Sequence, residues 1–184
     1  MAKLYQEILL EELDIRLPGL NVRRLALHQH MDQVEKVKSH WHSYQQVLIY
    51  FRGRGIQRVA DKRILVRRGT VISIRAREDH EFIKEQDVSP VCLAIDFKQA
   101  NFANFYKTIQ LSGDAMSRIE QALYRLGRYQ SRAQDTTLSV AAEILGILAF
   151  MQVEGGSPRE IAAAKVHPAT DEVKRIIHEG DLAT

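Results

Sequence analysis

Ser39-His40-Trp41-His42-Ser43-Tyr44-Gln45-Gln46 runs directly into Val47-Leu48-Ile49-Tyr50-Phe51-Arg52-Gly53. Alternate side chains of a strand point to one face, so His40 and His42 project together, and across a short turn Gln46, Leu48 and Tyr50 continue that face. The β-branched and aromatic residues over 45–51 suit a pleated strand, which Gly53-Arg54-Gly55 then ends. A second stretch begins at Gly69 and reaches His80. If it supplies the adjoining strands, the imidazoles of His40, His42 and His80 and the carboxamide of Gln46 converge inside one barrel.

The surrounding sequence has the same short-strand rhythm. Residues 21–28 read as an opening strand, Ala60-Asp61-Lys62 as a hairpin tip, and Arg67-Arg68-Gly69 as the turn before Val71-Ile72-Ser73-Ile74. Two more strands follow over 80–84 and 91–97. In the latter, Val91, Leu93, Ile95 and Phe97 share a core face, leaving Cys92, Ala94 and Asp96 for an outer surface or a pocket. The turn spacing is that of an all-β sandwich or barrel.

Beyond Phe97 the apolar period becomes helical. Phe102, Phe105, Tyr106 and Ile109 form one stripe, and Met116, Ile119, Leu123 and Leu126 another, with Asp114 as N-cap of the second. A third helix is predicted over 137–153 and is apolar almost all round, so it needs partners on two sides. The barrel or the preceding helix supplies one. A second copy of the chain is expected on the other, through Ile144, Leu145, Leu148 and Met151, with burial inside one chain as the alternative. Gly155-Gly156 is a break, Ser157-Pro158-Arg159-Glu160 restarts a helix, and His167-Pro168 interrupts it before a last amphipathic segment with Val173, Ile176 and Ile177.

The chain has 184 residues, enough for a substantial core without disulfides, and its single cysteine, Cys92, sits in an apolar run where a buried, inert thiol is expected. That usage fits a reducing cytosol. Acidic residues interrupt the amino terminus where a secretory signal would need apolar ones, and no charge-free run approaches the ~20 residues that span a bilayer. A cytoplasmic, soluble protein is expected, with no membrane partner. The formal net charge is only +3, yet Arg52, Arg54, Arg58, Lys62, Arg63, Arg67, Arg68, Arg75 and Arg77 crowd one region. They fit either an anionic ligand or acidic partner, or the solvent face of strands.

With these residues in place, the sequence resembles the cupin family, a jelly-roll or double-stranded β-helix barrel. The spacing of His40, His42, the position of Gln46 and Gly53 follows the closing part of its first motif, and Gly69 and His80 match the ends of its second. Gln46 stands where the family has glutamate, and Arg75 and Arg77 where it has proline and an inner glycine. In metal-binding cupins three histidines and the glutamate hold a divalent ion, which by resemblance makes His40, His42, Gln46 and His80 the candidate ligands for zinc, nickel, iron or manganese. A neutral carboxamide lacks the charge that helps hold a hard cation, although three imidazoles suffice for softer ones.

The order of barrel, helical train and His167-Pro168 segment resembles the amino-terminal sensor region of AraC-type transcription regulators. That resemblance implies a mainly β fold with C-terminal helices: a cupin barrel over 1–98, a helical dimerisation region over 99–156, and over 157–184 a linker helix that opens a DNA-binding domain absent from this chain. DNA contact would then reside in that absent region, through its helix-turn-helix units. As a sensor, the barrel would bind a small-molecule effector through His40, His42, Gln46, Leu48, Tyr50, His80 and Phe82, and the protein would be a homodimer. The alternative is a stand-alone metal-dependent cupin enzyme of dioxygenase or isomerase type. No catalytic residue is assigned, because Glu81 is expected to point away from the face of His80 and Phe82. In a third reading every histidine is structural, since His28 and His30 repeat the same spacing without a downstream motif.

Overall fold

Strands β1 (Tyr5–Leu17) and β2 (Leu20–His30) form the first hairpin of the computed structural model, which describes residues 4–85, 88–100, 108–130 and 136–155. They are followed by β3 (Lys36–His40), β4 (Gln45–Arg52), β5 (Gly55–Val59), β6 (Lys62–Val66), β7 (Thr70–Ile74), β8 (His80–Lys84), β9 (Val91–Gln99) and β10 (Ile109–Gln110). Helices α1 (Gly113–Gln130) and α2 (Thr137–Gly155) complete the described chain. One antiparallel sheet has the order β1-β2-β9-β4-β7-β10 and the other β3-β8-β5-β6. The mainly β fold with C-terminal helices expected from the sequence is therefore observed.

The larger sheet is buried on both faces, which explains why β4 reads as a continuous apolar run rather than an alternating one. Leu48 and Tyr50 of β4, with Cys92 and Ala94 of β9, pack against Val37, Val59 and Phe82 of the smaller sheet. On the opposite face Val47, Ile49, Leu93, Ile95 and Phe97 pack against the helices. The split of β9 into a core face and a pocket face holds as the period-two rule predicts. Helix α1 meets the sheet through Ala115, Met116, Ile119, Leu123 and Leu126 at three- and four-residue spacing. Its first free backbone amides are capped by Ser112, whose Oγ accepts from the Ala115 amide at 3.1 Å, so the cap lies two residues before the expected Asp114.

Several sequence expectations change. The strand β1 was not anticipated, because two register shifts, between Glu7 and Leu9 and between Glu12 and Ile15, break the alternation that would have announced it. Ile109, expected on a helix, instead pairs with Val71 in β10. The rest of that stripe, Phe102, Phe105 and Tyr106, lies outside the described residues, as do Gly156 and all of 157–184 with its helix restart and His167-Pro168. The dimer face also needs correction. Ile144, Leu148 and Met151 are already buried in the chain's own core, and Leu145 is half-buried against it. Each such side chain gains roughly 1.5–3 kcal/mol from burial inside the monomer and has little left to offer a partner. The exposed side of α2 is instead Leu138, Ala142, Gly146 and Ala149.

Candidate functional site

A cavity of about 240 Å³ lies between the two sheets, at the small end of ligand pockets. Its lining includes the exposed Trp41, the half-buried Tyr5 and the buried Tyr50, Phe82 and Cys92. All seven residues expected to bind an effector line it: His40, His42, Gln46, Leu48, Tyr50, His80 and Phe82.

The histidine end is built by strand pairing. His40 closes β3 opposite His80, the first residue of β8, and their ring centroids lie 4.2 Å apart. His42 belongs to the turn between β3 and β4, rather than to a strand shared with His40. Its ring stacks on Tyr44 at 4.1 Å and approaches His80 at 4.9 Å. The Arg77 amide donates to the His42 carbonyl at 2.7 Å and ties this turn to the one before β8. Arg77 sits at φ 62°, the left-handed region that favours glycine, at the position where the cupin motif has its inner glycine.

Each of the three rings is held in the same way. Nδ1 of His40 lies 2.9 Å from the Lys38 carbonyl, that of His42 2.7 Å from the Tyr44 carbonyl, and that of His80 3.0 Å from the Glu78 carbonyl. A carbonyl oxygen carries no proton, so each Nδ1 is the donor and each Nε2 of the neutral ring is left as an acceptor. Nε2 of His42 is buried and has no hydrogen-bond partner among the described residues. Burial pushes His80 down to about 4, with His40 and His42 adding to the depression, so that ring is neutral at pH 7.

Gln46 donates from Nε2 to Asp96 Oδ1 at 2.7 Å across β4 and β9, which turns its carbonyl oxygen away from the carboxylate. Asp96 also accepts from Arg24 Nε at 2.8 Å. The buried carboxylate is thereby neutralised by a half-exposed guanidinium, and among the described wall residues Arg24 alone carries a fixed charge.

The sequence reading undervalued the other end. His28 and His30 project into the same cavity from β2, 4.4 and 5.0 Å from the Tyr5 ring, and His30 meets Phe82 at 4.9 Å. Burial lowers His28 to about 4 and His30 to about 3, and Nδ1 of His30 is buried with no hydrogen-bond partner among the described residues. The same HxH spacing carried the signal, but recognising it required the pairing of β2 with β9, which sets His28 opposite the wall residue Cys92. Gln57, which accepts from the Tyr50 hydroxyl at 2.9 Å, gave no sequence signal.

The side chains do not fit the metal that the cupin resemblance implies. Among the described residues no three or more histidine, cysteine, aspartate or glutamate side chains are arranged to hold an ion. Nor do the described residues offer a free acid–base pair at the cavity. Glu81 points out of the barrel and accepts from Lys36 and Arg58 at 2.8 and 3.0 Å, while Asp96 is bound by Arg24 and Gln46. The nine clustered basic residues over 52–77 are exposed. Burial pushes the Cys92 thiol up, in keeping with an inert wall group.

Comparison with known proteins gives one family match, to the AraC-like ligand binding domain over residues 24–163. No curated protein matches the chain. Similar solved structures include a predicted oxalate decarboxylase from Thermotoga maritima, 18% identical over 42% of this chain and 67% of that one, with a TM-score of 0.38. An RmlC-like cupin from Shewanella frigidimarina is 12% identical over 49% of this chain and 86% of its own, with a TM-score of 0.36. KdgF from Halomonas sp. is 11% identical over 53% and 89%, with a TM-score of 0.37.

Proposed function

Because the chain belongs to the AraC-like ligand binding domain family, we propose that it is the effector-sensing and dimerising part of a cytoplasmic transcription regulator, with a small molecule bound between the two sheets. One observation carries this reading: β4 and β9 bear cavity residues on one face and helix-packing residues on the other. Leu48 and Ala94 touch the cavity while Val47, Ile49 and Ile95, their chain neighbours, support α1 and α2. A ligand that favours one placement of β4 and β9 therefore favours one placement of the helices, by differential affinity alone. DNA would be contacted by a separate region that the helices present.

The homodimer belongs to the same proposal, on the exposed side of α2. Leu138 is 86% exposed there, and Ala142, Gly146 and Ala149 beside it would let a second helix approach closely. The enzyme reading lacks support from a free acid–base pair or a metal-holding set of side chains, so no reaction step is assigned.

The test is a thermal-shift screen of the chain against small metabolites, repeated on Leu48→Arg, which fills the cavity. A saturable rise in Tm lost in Leu48→Arg is expected; a rise that persists in that variant places the ligand elsewhere and sinks the reading.

A further inference from the structure

The hydrogen-bonding polarity of the histidine end selects among effector chemistries, and this inference rests on the cavity being the effector site. We infer that the part of the effector lodged between His40, His42 and His80 is a hydrogen-bond donor without negative charge, an amine or a hydroxyl rather than a carboxylate or phosphate.

The Nδ1 atoms of the three rings are spent on the carbonyls of Lys38, Tyr44 and Glu78, so in the neutral tautomer that these contacts select, the Nε2 atoms present lone pairs. Gln46 spends one amide proton on Asp96 and keeps an acceptor oxygen beside its second N–H. The three rings, 4.2 to 6.5 Å apart, thus turn acceptors toward one another. Arg24 could have attracted an anion, but Asp96 already neutralises it at 2.8 Å. A carboxylate placed here would set lone pairs against lone pairs, whereas an amine or hydroxyl satisfies them. The need is sharpest at His42, whose buried Nε2 has no partner among the described residues. Leaving such an atom unpaired costs about 1–3 kcal/mol, which a donor on the ligand would recover.

The test uses protein carrying 15N-histidine at pH 8, where long-range proton–nitrogen spectra distinguish a bare ring nitrogen from a protonated one. The probes are benzylamine, benzyl alcohol and benzoate, which share a ring and differ in the donor. We expect bare Nε2 and protonated Nδ1 in His40, His42 and His80. Benzylamine and benzyl alcohol should shift the Nε2 signals saturably, with benzoate at least tenfold weaker. His42→Ala should abolish the response, and His40→Ala, at an exposed position, should weaken it without disturbing the buried packing. A protonated Nε2 on His42 or His80 overturns the inference. So does a divalent ion retained at one per chain and lost in His42→Ala. Saturation by benzoate alone overturns the ligand class and leaves the sensor reading intact. Silence toward all three probes, with Nε2 bare, overturns the placement of a ligand among these rings and with it the reading beneath.

Discussion

His40 and His80 are register partners across β3 and β8, and their ring centroids stand 4.2 Å apart. The pairing is not simple continuation of the ladder: a register shift between Val37 and His40 bends the end of β3 and brings the exposed imidazole over the buried one. His42 then enters from the following turn rather than from the strand, at 6.5 Å from His40 and 4.9 Å from His80. The site is therefore a product of one bulge and one turn laid over a regular sheet. Both features lie at the open end of the barrel, where binding groups can be placed without disturbing the packed interior.

Gln46→Glu restores the residue type of the metal-binding motif and should destabilise the fold. The new carboxylate would stand where the Gln46 amide now donates to Asp96 at 2.7 Å. Two buried like charges replace a donor–acceptor pair, a loss of about 3 kcal/mol at pH 7 unless one carboxyl keeps its proton. Adding Asp96→Asn supplies a donor again, and the double variant should regain part of the loss in urea denaturation. Equal stability of Gln46→Glu and the parent protein would contradict the Gln46–Asp96 contact.

Arg77→Gly should stabilise the protein by about 0.5–1 kcal/mol. The left-handed backbone at φ 62° costs a residue with a Cβ about 1–2 kcal/mol, against which glycine gives back part through its unfolded-state freedom. Arg77→Ala keeps the Cβ and should gain nothing. Urea midpoints with unchanged slopes separate the two; equal midpoints for glycine and alanine would remove strain as the explanation.

The sequence was legible where one physical rule governed a segment. Strand β8 falls on residues 80–84 as read, and β9 divides its residues between core and cavity by simple alternation. It was opaque where two rules competed. Bulges hid β1, and the glycine position at Arg77 looked like a lost motif although the backbone still takes the glycine conformation. The histidine pair of the recognised motif was correctly placed on the cavity. The second pair, His28 and His30, could be valued only once β2 was known to lie beside β9, since pairing partners are not encoded in local period. The apolar face of α2 was legible as apolar, but not as already used by the chain itself.

Stability should fall between pH 6.5 and 4 more steeply than carboxylate protonation alone requires. His28, His30 and His80 are held near 4, 3 and 4 in the fold, against 6.5 for an unhindered imidazole. Above pH 6.5 both folded and unfolded chains carry neutral rings and nothing is lost. As pH falls below that value the unfolded chain binds protons that the folded one refuses, so unfolding is favoured progressively until the folded values are reached. His30→Phe keeps the ring contacts with Tyr5 and Phe82 while removing one such group, and its Tm should vary less over that window. An identical pH profile in the variant would mean that His30 titrates freely in the fold.

Gly53→Ala should be more damaging than Gly19→Ala, although both glycines have positive φ, at 89° and 78°. At Gly19 a Cβ meets nothing within 4 Å, so only the backbone cost of about 1–2 kcal/mol applies. At Gly53 the added atom would lie 2.6 Å from Cα of Pro90, a backbone atom that cannot rotate aside. Relief requires β4 and the segment before β9 to separate, adding roughly 1–3 kcal/mol of overpacking strain. Because these two strands also carry Leu48, Tyr50, Cys92 and Ala94 on the cavity wall, the strain should reach the ligand site. The expected outcome is a lower urea midpoint for Gly53→Ala than for Gly19→Ala, with weaker probe binding in the former only. Equal losses in both variants would show that the chain near Pro90 yields without moving the strands, and the close approach would then have no bearing on the cavity.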